Sequence, residues 1–285
     1  MTAPTPYQRR FCTANGIVQS YLEAGASDHP AVVLIHGLGW DAERLWSSSI
    51  DGLVRAGRRV IAPDLRGVGQ SAVLDQPHTI ARYADDVGAL LDEAGVGGYA
   101  LVGFSMGGMI AVDLAGRLPE RVLGLALCCS GLQSTPDDAS AVEVMLARAA
   151  DLGPQRFAAE QAEAIWHRGW ADAHPEAVAD FKQWRAAMDP VALAHAFRAP
   201  SGLDLRAAFA RLDLPIEVIA ARDDAFLAPA TARAVVALNA GANLRFLDDC
   251  GHMAPIERPA EFAAAILRFL DRVPVAARYE PETSA

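Results

Sequence analysis

Cysteine is scarce: of 285 residues only Cys12, Cys128, Cys129 and Cys250 are thiols, and none stands in a Cys-x-x-Cys pair or at a zinc-ligand spacing. Cys128 and Cys129 close an apolar run and read as small buried side chains in a reduced chain. An excess of positive charge is also missing. The formal net charge is −10, which argues against nucleic acid and anionic membranes as partners, because both are polyanions. A small-molecule substrate responds to the local field of a pocket and is the expected partner. Composition does not set the oligomeric state, and a homodimer is compatible with it. No uninterrupted apolar run reaches the ~18 residues needed to cross a bilayer, and Met1 to Arg10 has no apolar stretch of signal-peptide length. A cytoplasmic location is therefore expected. Internal repeats and low-complexity tracts are absent too.

Apolar residues, by contrast, are plentiful. They make up 52% of the chain against 21% charged, enough for a sizeable core. The length fits one large domain or one core with a substantial insertion. Ala31–Ile35 is a continuous apolar run ending at His36-Gly37, the mark of a strand buried on both faces. Arg59–Ala62, Tyr99–Val102 and Val122–Leu127 repeat it. Helical spacing fills Ile80 to Ala94 and Met106 to Leu118 between them. Strand alternating with helix predicts a mostly parallel sheet covered by helices, with Ile17–Leu22 as an antiparallel edge strand. From Asp137 to Arg198 no strand-like run occurs, only amphipathic stretches punctuated by Pro154, Pro175 and Pro190, each near an expected helix start. The β rhythm resumes at Ile216–Ala220. A helix (Ala230 to Asn239), a strand (Asn243 to Leu247) and a last helix (Pro259 to Val273) follow. The expected division is an α/β core over 1–130 and 208–275, a helical cap over 131–207, and a flexible tail over 276–285.

Gly103-Phe104-Ser105-Met106-Gly107 carries the chemistry. A Gly-x-Ser-x-Gly string alone is weak evidence, but here it follows a strand candidate and opens a helix candidate, as a nucleophile elbow requires. The glycines permit a sharp turn that projects a strained serine, and the helix start aims the Met106 N–H where negative charge would develop. His36-Gly37-Leu38-Gly39, after an earlier strand, offers the Leu38 N–H as a second donor; the His36 ring reads as a structural group. A serine hydroxyl needs a base. His29, His78, His167, His174 and His195 have no strand before them, and with His36 read as structural the base is His252, on the loop Asp249-Cys250-Gly251-His252-Met253 after a strand. The acid belongs after another strand, at Asp223 or Asp224.

Together these residues resemble the α/β-hydrolase fold superfamily, whose nucleophile–acid–base order is matched by Ser105, Asp224 and His252. The resemblance runs from about Asn15 to Arg272. It includes Asp64-Leu65-Arg66-Gly67-Val68-Gly69-Gln70-Ser71, with Val68 where histidine is usual, and Gly251-His252 followed by Glu257-Arg258-Pro259. The family's Gly-x-x-Asp register selects Asp224, with Ala221 in the glycine's place; Pro229 comes one residue late, so Asp223 stays a competitor. Ser105-Met106-Gly107-Gly108-Met109 and the cap segments around His174-Pro175 and Asp189-Pro190 look most like 3-oxoadipate enol-lactonases and related esterases.

The resemblance implies an α/β-hydrolase fold with a cap over the sheet's C-terminal edge and a serine esterase or lactonase without metal or organic cofactor. It implies Leu38 and Met106 N–H groups as an oxyanion hole, and a mainly apolar pocket lined by Trp40, Trp166, Trp170 and Trp184. The same core also serves carbon–carbon bond hydrolases, perhydrolases, non-hydrolytic biosynthetic enzymes and ligand receptors.

Overall fold

The computed structural model describes residues 7–275, so the tail expected over 276–285 lies outside the described residues. The chain begins with β1 (Tyr7–Ala14), β2 (Ile17–Ala24) and β3 (Ala31–Ile35), followed by α1 (Ala42–Arg55) and β4 (Arg59–Pro63). Next come α2 (Ile80–Glu93), β5 (Tyr99–Phe104), α3 (Met106–Arg117) and β6 (Val122–Cys128). Five helices then run without a strand: α4 (Pro136–Leu152), α5 (Pro154–Ile165), α6 (Arg168–Ala173), α7 (Pro175–Ala186) and α8 (Pro190–Arg198). The short α9 (Arg206–Ala210) leads back to β7 (Ile216–Ala221), α10 (Pro229–Val236), β8 (Ala242–Leu247), α11 (Ala254–Glu257) and α12 (Pro259–Leu270).

The strands form one sheet in the order β1-β2-β4-β3-β5-β6-β7-β8, parallel from β4 to β8. Side chains alternate across a strand. Val32 and Leu34 therefore join the core beneath α1 and α12, with Trp46, Ile50, Phe262 and Phe269. Val33 and Ile35 join the core beneath α2 and α3, with Tyr83, Leu90, Ile110 and Leu114. Burial on both faces is why these strands read as unbroken apolar runs. The outcome is the α/β-hydrolase fold expected from the sequence.

Two early elements depart from expectation. Ile17–Leu22 is antiparallel, but it lies one strand in from the edge, paired on one side with β1 and on the other with β4. The edge strand β1, YQRRFCTA, has no apolar run to betray it. Polar contacts hold it instead: Arg9 reaches Asp64 at 2.6 Å and Glu43 at 2.9 Å. Helix α1 was not anticipated either; Asp41 caps it by accepting the Arg44 N–H at 2.7 Å.

Prolines 154, 175 and 190 are the first residues of α5, α7 and α8, where a missing N–H costs nothing. The two strands of chain that enter and leave the helical insertion are tied together. Ser134 N–H donates to Leu203 O at 2.8 Å and Leu205 N–H to Leu132 O at 2.7 Å.

Candidate active site

Leu38, Ser105, Met106, Asp224 and His252 lie beyond the C-terminal ends of β3, β5, β7 and β8, where open α/β sheets place their ligand crevice. Ser105 sits between β5 and α3 with φ 52° and ψ −121°, a conformation that strains a residue with a side chain. Neighbouring glycines allow it. A Cβ on Gly103 would come within 2.4 Å of the Gly107 carbonyl oxygen, and one on Gly107 within 2.2 Å of the Ile35 carbonyl oxygen. Strand end, helix start and the neighbouring strand therefore approach more closely than any side chain permits.

From Ser105 a hydrogen-bonded line runs inward. His252 Nε2 is 3.1 Å from Ser105 Oγ, and His252 Nδ1 is 2.9 Å from Asp224 Oδ2. Asp224 is nearly fully buried and its Oδ1 accepts the N–H groups of Phe226 and Leu227 at 2.8 and 2.9 Å. Asp223 is exposed, and its backbone N–H donates to Cys250 O. The geometry thus joins Asp224, and not Asp223, to the histidine. With Nδ1–H given to a carboxylate, Nε2 faces the serine as a proton acceptor.

The His252 loop is braced by a carboxylate outside this line. Buried Glu257 accepts the Gly251 N–H at 2.8 Å and the His167 N–H at 3.2 Å on one oxygen, and the Met253 N–H at 3.1 Å on the other. Burial raises its pKa, while these three N–H groups pull it down. His252 N–H also donates to Ile165 O at the end of α5. Loop and insertion are therefore held as one unit.

Leu38 follows β3 and Met106 opens α3, and both flank Ser105. Met106 is the first residue of its helix and Ser105 gives it no side-chain cap, so its N–H is free to meet a ligand. The oxyanion-loop candidate is fixed by His36. Its Nδ1 lies 2.8 Å from Gly37 O, and its Nε2 accepts the Leu65 N–H at 2.9 Å. Complete burial lowers the His36 pKa, so the ring stays neutral and structural.

Over Ser105 is a cavity of about 180 Å3. The core contributes Leu38, Trp40, Phe104, Phe226, His252 and Met253; the insertion contributes Gln161, Ile165, Arg185 and Phe197. Of the four tryptophans expected there, only Trp40 lines it. Trp166 stands behind Trp40, edge-on with ring centroids 6.1 Å apart. Trp166 and Trp184 border a neighbouring cleft, and Trp170 is stacked between Trp166 and His174 at 4.7 and 4.3 Å. Those three pack the insertion onto the core. Arg185 was not foreseen. Among the described residues no set of three His, Cys, Asp or Glu side chains converges as a metal-ligand cluster, and no helix is long and apolar enough to cross a membrane.

Comparison with known proteins agrees with this architecture. Residues 30–259 match the family model described as alpha/beta hydrolase fold. A protein named as a putative carbamate hydrolase, RutD, from Variovorax paradoxus is 32% identical over 87% of this chain and 94% of its own length. Among solved structures, the enol-lactonase of Burkholderia xenovorans is 26% identical with a TM-score of 0.85, covering 92% of this chain and all of its own. A thermophilic esterase from Thermogutta terrifontis is 27% identical with a TM-score of 0.84, covering 93% and 98%.

Proposed function

The chain belongs to the α/β-hydrolase fold family, and from that premise we propose that it is a serine hydrolase cleaving a small carboxylic ester or lactone through an acyl-enzyme on Ser105. The observation that carries this reading is the continuous line Ser105–His252–Asp224, with both contacts at hydrogen-bond distance. His252 Nε2 takes the proton of Ser105 as Oγ attacks the carbonyl carbon. Asp224 holds the imidazole in the required tautomer and stabilises the imidazolium that forms. The N–H groups of Leu38 and Met106 receive the developing oxyanion. His252 then protonates the leaving alkoxide and activates the water that releases the acid. The helices over 131–207 act as a cap that closes the cavity from above, supplying Gln161, Ile165, Arg185 and Phe197 to its wall.

A carbamate carbonyl is attacked by the same groups in the same order, and the name of the Variovorax relative favours including it. The test is a panel of p-nitrophenyl esters, lactones, thioesters and a p-nitrophenyl carbamate, run with wild type and Ser105→Ala. Turnover that depends on Ser105 is expected, and its rank order separates ester from carbamate. Absence of Ser105-dependent turnover on every member overturns the reading.

A further inference from the structure

The insertion holds a second cavity, larger than the one over Ser105. It measures about 670 Å3 and is lined by Leu146, Ala147 and Ala150 of α4, Phe157 of α5, Met188, and Leu193 of α8. The cavity over Ser105, at about 180 Å3, falls short of the roughly 300–1,000 Å3 usual for a small-molecule site, whereas this one lies within that range. The two abut. Arg185 borders both, and Phe157 on one wall meets Phe197 on the other with ring centroids 6.3 Å apart. No Ser, Thr, Asn, Gln or His lines the larger cavity, and its polar side chains besides Arg185 are Glu143 and Arg198. Those two neutralise each other through bonds of 2.6 and 2.8 Å that tie α4 to α8. What remains of the wall is hydrocarbon.

Helix α4 supplies an independent observation. Helices in globular proteins are stabilised chiefly by burying one apolar face. Among the described residues of α4 none is buried, although it carries Val142, Val144, Met145 and Leu146. A capping box and exposed ion pairs, Arg148 to Glu160 and Glu143 to Arg198, hold it in place, and such pairs contribute little. An apolar occupant of the cavity completes the burial that α4 lacks.

We propose that this cavity binds an unbranched alkyl chain, so that the ester or lactone cleaved at Ser105 carries a medium-length hydrocarbon chain on one side of the scissile bond. The reacting carbonyl and its first carbons occupy the cavity over Ser105. The chain then passes the contact between Phe157 and half-buried Phe197 into the insertion. A hydrocarbon chain needs no directional partner, and each methylene gains by leaving water. The cleft beside Trp40 carries Arg44, Asp180 and Gln183 and matches such a chain less well.

This inference rests on the hydrolase reading, and the experiment tells the two apart. Values of kcat/KM are measured for p-nitrophenyl butanoate, hexanoate and octanoate, and for butyl and octyl acetate, with wild type, Ala147→Trp and Ala150→Phe. The two series distinguish a chain on the acyl side from one on the alcohol side. In wild type one series is expected to gain about 3-fold per added methylene. Ala147 and Ala150 are exposed residues of the cavity wall, so a bulky side chain at either intrudes on the cavity without displacing the core. At least one variant should lower the ratio of the eight-carbon to the four-carbon substrate about 10-fold. Rates that do not rise with chain length in either series, or a ratio that neither variant lowers, overturn the proposal. If no ester is hydrolysed in a Ser105-dependent way, the hydrolase reading fails. Calorimetry then tests the cavity alone: Ser105→Ala is expected to bind 1-octanol about 10-fold more tightly than Ser105→Ala/Ala147→Trp/Ala150→Phe. Equal affinity overturns it.

Discussion

Asp224 and His252 are joined at 2.9 Å, and Asp224 has no oxygen to spare: Oδ2 meets the imidazole while Oδ1 accepts two backbone N–H groups. An asparagine in its place has one carbonyl oxygen for these tasks. Either the loop N–H groups lose their acceptor, or an NH2 faces His252 and forces the wrong tautomer. Asp224→Asn is therefore expected to lower kcat by about 10³–10⁴-fold, whereas exposed Asp223 changed to Asn stays within about 2-fold. Steady-state kinetics on p-nitrophenyl acetate checks this, and equal losses in both variants would sink the assignment.

Strain at Ser105 leads to a second expectation. Its φ of 52° disfavours any side chain, and only the position of Oγ repays that cost. Ser105→Gly removes the strain, while Ser105→Ala keeps it. Both should be inactive, with the glycine variant more stable than the alanine variant by about 1 kcal/mol after allowing for the extra freedom of unfolded glycine. Urea unfolding reads the difference directly; equal midpoints would show that the backbone is relaxed.

Glu257 is expected to act on rate through position. Its three N–H donors come from Gly251, Met253 and His167, so it fixes the His252 loop and ties it to the insertion. In Glu257→Gln the amide NH2 confronts N–H groups, and kcat should drop about 10- to 100-fold with KM nearly unchanged. The pH dependence is distinctive. The folded pKa lies above 4.5, so the folded state holds the proton more firmly than the unfolded chain. That contribution to stability is complete below 4.5 and is lost as pH rises through the folded pKa. Wild type minus Glu257→Gln stability should therefore shrink from pH 4.5 upward. A difference that grows with pH contradicts this.

Trp40 and Trp170 test which aromatic residues meet substrate. Trp40 lines the cavity over Ser105, while Trp170 is sandwiched between Trp166 and His174 away from it. Trp40→Leu is expected to raise KM about 10-fold through lost apolar contact. Trp170→Leu is expected to lower Tm with KM within about 2-fold. The reverse pattern would place the substrate away from the cavity over Ser105.

The contrast between these tryptophans shows what could be read from sequence. Ser105 and Asp224 each follow a strand buried on both faces, which announces itself as an apolar run, and His252 follows the half-buried edge strand β8, so each residue's place at one sheet edge was legible. Choosing Asp224 over Asp223 needed a family register, because either residue of a turn can point inward. β1 was hidden because its hold on the protein is polar, through Arg9 to Asp64 and Glu43. Within the insertion, helical spacing tells that a face is buried but not which neighbour buries it. Trp166, Trp170 and Trp184 were consequently misplaced. Arg185 reads as one more surface charge on an amphipathic helix. Its neighbours are Phe181 on its own helix and Gly39 on a loop distant in sequence, and only the fold brings the latter to it.

That same arginine supplies the last expectation, which concerns stability. Arg185 is buried and its Nε and Nη1 have no hydrogen-bond partner; an unpaired cation of this kind burdens the folded state, and methionine offers similar length without charge. Arg185→Met should therefore unfold at higher urea concentration than wild type, by about 1–3 kcal/mol. Here the folded pKa is about 10, below the ordinary 12.5, so the unfolded chain binds the proton more firmly between those values. The penalty is fully present below pH 10 and is relieved as pH rises above it, so the variant's advantage is largest at neutral pH and narrows toward pH 11. Lower stability of Arg185→Met at pH 7 would mean that the guanidinium has an internal partner.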